Sequence, residues 1–509
     1  MTAESANPYD QLISRTREAN LLASTSSLLH WDQQTMMPTG GLEHRSKQLS
    51  QLARMAHAMA TDPAVGQLLG ACEADAQLQA DPTSVAAVNV REIRRDFERA
   101  TKLPPELVAE LASTGSVAQA HWQEARKLSD FSRFRPWFEK LLALKKREAE
   151  CLGWDRVDGE PWDALADEYE PGCTAKSIEA IFTPLRQQLV DLLDALGSAS
   201  AGPSERLIRL HLPTDPMKRF VREVSERMGF DFARGRLDES THPFCGGTHC
   251  HDVRMTTRFS ETNPIEPLYS TIHESGHGMY EQNLPDAHIG TPMGHSVSLG
   301  IHESQSRMWE NLVGRSRAFW VWCLPLLRDC FGPEVQSLSV DEAFAGANII
   351  RPGFIRVEAD EATYNLHLMV RFEIERALMK GDIEVADVPD VWNQKVKRVL
   401  GLEVPDDARG CLQDIHWSSG SIGYFPTYTL GNLYAAQFFE KARADIPDLY
   451  EQFESGRFDG LRSWLSENIH QHGMRYRAAE LCEQVTGASL SAAPLMRHLE
   501  GKLKPLYGL

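Results

Sequence analysis

His273-Glu274-Ser275-Gly276-His277 sets two imidazoles at i and i+4 with a carboxylate between them. On a helix that spacing projects both rings from one face, where they can grip a single cation, and it leaves Glu274 beside the remaining coordination position. The plain alternative is a pair of surface histidines, so a third ligand decides. The next carboxylates downstream are Glu281, Asp286, Glu303 and Glu310. Glu281 continues the same helix and cannot easily fold back onto an ion held by its neighbours, and Asp286 falls in the Pro/Gly-punctuated loop 283–294. Glu303 opens a new helical run, 304–313, after enough chain for an antiparallel return, and it is the expected third ligand. His273, His277 and Glu303 leave a fourth position open for water, which marks catalytic rather than structural sites. The chemistry implied is metal-assisted hydrolysis. The ion lowers the pKa of water, Glu274 takes the proton as the water attacks a peptide carbonyl and hands it to the leaving amine, and the oxyanion needs a further donor. Zinc is the expected ion, one per chain, although the same ligands accept cobalt or manganese.

The elements that must position these residues read as mostly helical. Apolar residues recur at three- and four-residue intervals over 12–30, 43–60, 131–151, 177–196 and 215–228. Breakers separate the runs at Pro38-Thr39-Gly40-Gly41, Pro104-Pro105, Pro171-Gly172 and Gly202-Pro203. The spacing of Ile265, Leu268, Ile272 and Met279 predicts a helix around the histidines, within which Gly276 lets another element come close. One segment breaks the rhythm: 252–259, Asp-Val-Arg-Met-Thr-Thr-Arg-Phe, is rich in β-branched residues and reads as a strand. Such a strand beside a metal helix can offer its edge to an extended peptide, or serve only as a structural hairpin. His242-Pro-Phe-Cys-Gly-Gly-Thr-His-Cys-His251 looks like a second metal site, but no further Cys/His pair follows at finger-like spacing, and the balance is against a structural metal there. The acidic stretch 155–170 reads as a solvated loop and helix face.

Composition narrows the class. The 509 residues are 42% hydrophobic with a formal net charge of -18, and mean hydropathy is -0.36. This suits a soluble globular protein and disfavours nucleic acid or anionic lipid as partners. No basic n-region and apolar h-region open the sequence, and no apolar run is long enough to span a bilayer. Nine cysteines without framework spacing read as reduced thiols, hence a cytoplasmic expectation.

The motif does not stand alone. Trp31-Asp32 with Pro38, His242-Pro-Phe244, Asp252-Val-Arg254-Met-Thr256, Gly300-Ile-His-Glu303-Ser-Gln-Ser306, Ile355-Arg356-Val-Glu-Ala-Asp360 and Gly410-Cys-Leu-Gln-Asp414-Ile-His416-Trp417 follow in order. With HESGH this series resembles the carboxypeptidase Taq family of metallopeptidases, nearly end to end. The resemblance implies a mainly α fold: a large helical peptidase with a deep central groove and a small β-sheet beside the metal helix, similar to neurolysin and angiotensin-converting enzyme. It is taken as one domain over 1–509, with a helical N-terminal part to about 235 and the metal and substrate site in about 236–509. It further implies a homodimer that releases single C-terminal residues from peptides with broad specificity, and it carries the ligand roles to His273, His277 and Glu303 and the base to Glu274.

An enzyme working at a free C-terminus must hold a carboxylate, for which the arginine fork is suited. Arg356 is the first candidate, Arg254 the second, with an internal ion pair (Arg356 to Asp360) as the alternative. His416 is a candidate donor to the oxyanion or the carboxylate. Tyr424 and Tyr428 can donate to a developing oxyanion or simply be buried aromatics. His242 is a candidate substrate contact, although His242 and His302 could equally support the site from behind or be core histidines, and Asp360 and Asp414 are candidates for orienting ligand imidazoles. Two rivals remain: an oligopeptidase or peptidyl-dipeptidase with the same metal helix, and a metal- or peptide-binding protein without turnover, against which the intact Glu274 argues.

Overall fold

Residues 7–200, 202–261, 263 and 265–509 are described by the structure, a computed structural model. Helices dominate, and the predicted runs fall inside observed helices: Pro8–Thr35, Leu42–Ala60, Phe131–Leu152, Ala175–Gly197 and Thr214–Met228. Local chemistry explains several ends. Asn7 caps the first helix by accepting from the Tyr9 amide at 3.1 Å, with Pro8 in its first turn. The chain divides into two compact units, each built from three separate segments. No described helix is long and apolar enough to cross a membrane.

The first unit comprises Met1–Thr101, Ser204–Ala347 and Phe438–Ser489. It holds a three-stranded sheet in the order β1 (Gly235–Glu239), β3 (Asp252–Thr257), β2 (Cys245–His249). β1 runs parallel to β3 and β2 antiparallel to it, with an irregularity between Gly247 and His249. The sheet lies against helix Ile265–Gln282. Thr257 and Ser270 share a hydroxyl hydrogen bond of 2.6 Å, and Val253, Met255 and Ile272 are buried. Gly278 is required there, because a Cβ would come within 2.6 Å of the Phe230 ring.

The second unit comprises Lys102–Pro203, Asn348–Gln437 and Leu490–Leu509. Helices Pro105–Leu128 and Phe131–Leu152 pack as an antiparallel pair. Their tight joint puts Ser129 at φ 53°, and Asp130 caps the second helix. The acidic stretch differs from expectation. Its loop 155–158 is exposed, but the helix that follows, Pro161–Ala166, is buried, with Trp162 fully covered. Glu160 at its start is neutralised by Arg376 and Lys380, and Asp163 accepts the Ala175 amide at 2.7 Å. A hidden acceptor, Glu375, takes hydrogen bonds from Trp162 Nε1 (3.1 Å), Trp417 Nε1 (2.9 Å) and the Gly423 amide (2.9 Å).

Candidate active site

Two helices make the metal constellation in the first unit. His273 and His277 leave helix Ile265–Gln282 on one face, with ring centroids 4.9 Å apart. Glu303 comes from helix Leu299–Arg307, which begins five residues before the run read from sequence. Ser298 is the reason: its hydroxyl accepts the Ile301 amide at 3.1 Å and caps the helix there, so Glu303 projects from mid-helix. Glu303 Oε2 lies 3.5 Å from His277 Nε2 and 3.8 Å from His273 Nε2. Gly276 permits this approach. A Cβ on it would sit 2.6 Å from Ser306 Cα and 2.7 Å from the Gln305 carbonyl oxygen, both backbone atoms of the Glu303 helix.

Beyond Arg307 the chain continues into a wider π-type turn, Met308–Gly314, which carries Glu310. Glu303 and Glu310 are two turns apart, and they bracket His273: Glu303 near Nε2, Glu310 Oε2 2.9 Å from Nδ1. Because Glu310 is ionised it can only accept, so Nδ1 carries a proton and Nε2 is the ring nitrogen left to face a cation. Burial is outweighed by the Glu303 and Glu310 charges, which raise the pKa of the ring, so a bound ion would displace a proton from Nε2. Arg307 binds both carboxylates, Glu303 Oε1 at 2.7 Å and Glu310 Oε2 at 3.1 Å, and Arg315 reaches Glu310 Oε1 at 3.3 Å. His277 has a different support. The His302 ring stacks on it at 4.4 Å and is itself held by Glu281 at 2.8 Å.

Charge separates the roles. Burial opposes ionisation of Glu303 and Glu310, yet Arg307 and the histidines outweigh it and hold Glu303 well below the carboxylate range and Glu310 at about 2. Burial, with the charges of Glu303 and Glu310, instead pushes Glu274 up to about 7, where a carboxylate accepts and returns a proton readily. Burial also keeps His277 neutral, with its pKa down at about 3. The donor set fits a divalent cation: two imidazoles and one carboxylate, their donor atoms within 4.8 Å of one another. His277 Nδ1 is buried with no hydrogen-bond partner among the described residues, so that ring is oriented by the His302 stack and by Glu303 at Nε2.

The expectation that Asp360 or Asp414 orients a ligand imidazole gives way to Glu310. Asp360 is spent on the amides of Arg351, Ala362 and Thr363, and Asp414 on two guanidinium groups. Helical spacing offered a signal for Glu310, seven residues after Glu303 on the same face. Arg254 pairs with Asp252 at 2.8 Å and lies over the Trp31 ring. His242 is exposed, and its carbonyl accepts from the Ser240 hydroxyl at 2.6 Å. Cys245 is half-buried, its thiol pushed up by desolvation and by the neighbouring Glu274 and Glu281 charges.

The second unit gathers the other candidates. Arg356, in the short turn Arg356–Glu358, is buried and meets Asp414 at 2.8 Å, not Asp360. Its NH1 donates to the Tyr364 hydroxyl at 3.2 Å, and its guanidinium lies 5.1 Å from the Tyr428 ring centre. Arg371, unremarked in sequence, takes the other oxygen of Asp414 at 2.5 Å. Two guanidinium groups thus share one carboxylate, a local surplus of positive charge. His416 Nε2 lies 3.4 Å from the Tyr428 hydroxyl, and Tyr424 packs edge-on to Tyr428 at 5.3 Å. Burial leads in lowering His416 to about 4, so the ring is neutral.

Comparison with known proteins agrees with this geometry. Residues 11–503 match the family described as carboxypeptidase Taq (M32) metallopeptidase. Thermostable carboxypeptidase 1 of Thermus thermophilus is 44% identical over 514 residues, covering 100% of both chains. Carboxypeptidase 1 of Bacillus subtilis is 35% identical, covering 94% of this chain and 95% of its own. The crystal structure of the M32 carboxypeptidase from Deinococcus radiodurans is 41% identical, with a TM-score of 0.94 over 99% of this chain and 100% of that one. The chain belongs to the carboxypeptidase Taq family of metallopeptidases.

Proposed function

We propose that this metallocarboxypeptidase removes single residues from the free C-terminus of peptides with broad side-chain tolerance, using Glu274 as general base and His273, His277 and Glu303 as ligands of a zinc ion. The carrying observation is the buried Glu274, pushed up to about 7 beside a donor set of two imidazoles, of which burial holds His277 neutral, and one carboxylate. A divalent ion bound there would polarise the scissile carbonyl and lower the pKa of the attacking water. Glu274 accepts the proton of that water and returns it to the leaving amine, which suits a pKa close to neutrality. Glu310, by holding the Nδ1 proton of His273, fixes that ring's orientation.

The surplus charge of Arg356 and Arg371 over Asp414 supports Arg356 as the anchor of the substrate carboxylate, with Tyr428 beside it. Arg254, already matched by Asp252, suits stabilisation of its own strand, and exposed His242 a peripheral substrate contact. His416 and Tyr424 are the candidate donors to the oxyanion. The family resemblance further supports a homodimer, and the reduced-thiol reading of the cysteines supports a cytoplasmic setting.

The test is metal analysis of the purified protein followed by timed product analysis on one unblocked peptide. Free C-terminal amino acids, released one at a time, are expected; dipeptides would instead mark a peptidyl-dipeptidase. Charge-assisted hydrogen bonds to the terminal carboxylate contribute roughly 1.5–3 kcal/mol. C-terminal amidation is therefore expected to lower kcat/KM by roughly 10- to 150-fold. Equal cleavage of amidated and free peptides refutes the Arg356 assignment.

A further inference from the structure

The histidine- and cysteine-rich segment 242–251 plays no part in the proposed chemistry, and in the sequence it lacked a second set of donors. The fold supplies one. The turn between β2 and β3 carries Cys250 and His251, and the short turn Asp286–His288 follows the end of helix Ile265–Gln282. Asp286 Oδ1 lies 2.9 Å from His251 Nε2 and 3.9 Å from Cys250 Sγ, and the three donor atoms all fall within 4.8 Å of one another.

We propose that Cys250, His251 and Asp286 form a second metal site, specific for a borderline divalent ion such as zinc or cobalt, that clips the β2–β3 turn to the chain leaving the catalytic helix. Thiolate, imidazole and carboxylate together are the donor chemistry of zinc and cobalt, not of magnesium or calcium. Metal–sulfur distances of about 2.3 Å and metal–nitrogen or –oxygen distances of about 2.0–2.2 Å put tetrahedral ligand atoms about 3.4–3.6 Å apart. The observed separations straddle those edges. Cys250 is the buried anchor, at 5% exposure, while the His251 and Asp286 side chains are 43% and 68% exposed and free to adjust as closure requires. Binding replaces the His251–Asp286 hydrogen bond and releases the Cys250 thiol proton to solvent. A dication with one thiolate, one carboxylate and a neutral imidazole is then electrically balanced. Arg234, whose charge acts on the Cys250 thiol, is held by Asp231 at 2.9 Å and by the Gln282 carbonyl. The fourth position is left for water.

Because the proposed catalytic ligands include no sulfur, cobalt distinguishes the two sites. Metal-free protein titrated with Co2+ alone is expected to take up two equivalents per chain, one with a thiolate-to-cobalt charge-transfer band in the near ultraviolet. Cys250→Ser should bind one equivalent, lose the band and retain peptide hydrolysis. Asp286→Ala, a change at an exposed position, should weaken the band-forming equivalent at least tenfold and leave the other unchanged. A single equivalent without the band in the unmodified chain overturns the proposal. So does a band that persists in Cys250→Ser, or Asp286→Ala binding both equivalents as the parent does. Failure of hydrolysis in all forms would count against the proposed function and leave the metal stoichiometry to decide this site.

Discussion

Replacing Glu310 by glutamine keeps the side chain's length and one acceptor oxygen but removes its charge. In the folded chain that charge accepts from His273 Nδ1 at 2.9 Å, Arg307 at 3.1 Å and Arg315 at 3.3 Å. Its pKa falls from 4.5 to about 2 despite its burial. That drop corresponds to roughly 3 kcal/mol of net stabilisation of the carboxylate, shared among the three partners. The share at His273 is what a bound ion feels, since a carboxylate on Nδ1 makes Nε2 a better donor and fixes the ring. Losing such a support typically costs 10- to 100-fold in metal affinity, about 1.4–2.7 kcal/mol, which lies within that bound. Competition with a chelator of known affinity should show a Kd raised by that factor in Glu310→Gln. Turnover at saturating metal should fall much less, because Glu274 and Glu303 are untouched. Thermal melting of the metal-free protein separates the alternatives. A lower Tm with unchanged metal affinity would mean that Glu310 only neutralises Arg307 and Arg315, and the orienting role would be wrong.

Gly276→Ala should lower both Tm and metal affinity, because its Cβ would sit 2.6 Å from Ser306 Cα and push away the helix carrying Glu303. An overpacking cost of about 1–3 kcal/mol is expected by calorimetry, and a variant unchanged in both measures would refute the close-contact argument. With Glu274 as the proposed base, hydrolysis would need it unprotonated, and kcat/KM should fall as pH drops through its pKa. That value is about 7 for the chain itself, and a bound cation shifts the acid limb lower. Glu274→Gln should keep the metal and lose turnover by several orders of magnitude, and retained turnover would remove it as the base. Burial raises Glu375 to about 7, above its unfolded value, so the folded state binds the proton more tightly and stability falls as pH climbs from about 4.5 to 7. That fall amounts to about 3 kcal/mol at most. The stability difference between the parent and Glu375→Gln should therefore shrink by about that amount between pH 5 and 8 in denaturant titrations, and a constant difference would show that Glu375 does not titrate there.

Features of the site carried by short spacings were legible in the sequence. The i, i+4 histidines, the return of chain to Glu303 and the need for a small residue at Gly276 all follow from helix geometry, and the structure places those groups side by side. The Glu303 helix starts earlier than its apolar periodicity predicts, because Ser298 caps it before that periodicity begins. The sheet was half visible. β3 has the β-branched signature of a strand, whereas β2 is Cys-Gly-Gly-Thr-His and β1 is Gly-Arg-Leu-Asp-Glu, sequences with little strand preference that become strands by pairing with β3. Arg371 and Glu375 gave no local sign. Their partners Asp414, Trp162 and Gly423 lie 43 to 213 residues away, and only the folded chain brings them together. Each of the two units is likewise assembled from three stretches, which no composition shift marks.

The environment of the carboxylates also supports their proposed roles without reference to the motif. Glu274, Glu303 and Glu310 are all buried within one cluster, and burial alone would raise all three. Arg307 breaks the symmetry. It lies on the Glu303 helix at the i+4 position and reaches both Glu303 and Glu310, while Glu274, on the opposing helix, receives their negative charge without a guanidinium of its own. Two carboxylates are thereby kept ionised, one near Nε2 of both histidines and one on Nδ1 of His273, and the third is left poised to exchange a proton. Environments that drive neighbouring titratable groups apart in pKa separate proton carriers from fixed charges. Here the same electrostatics that make Glu303 suited to hold a cation make Glu274 suited to take a proton, so the proposed ligand and the proposed base are coupled through Arg307.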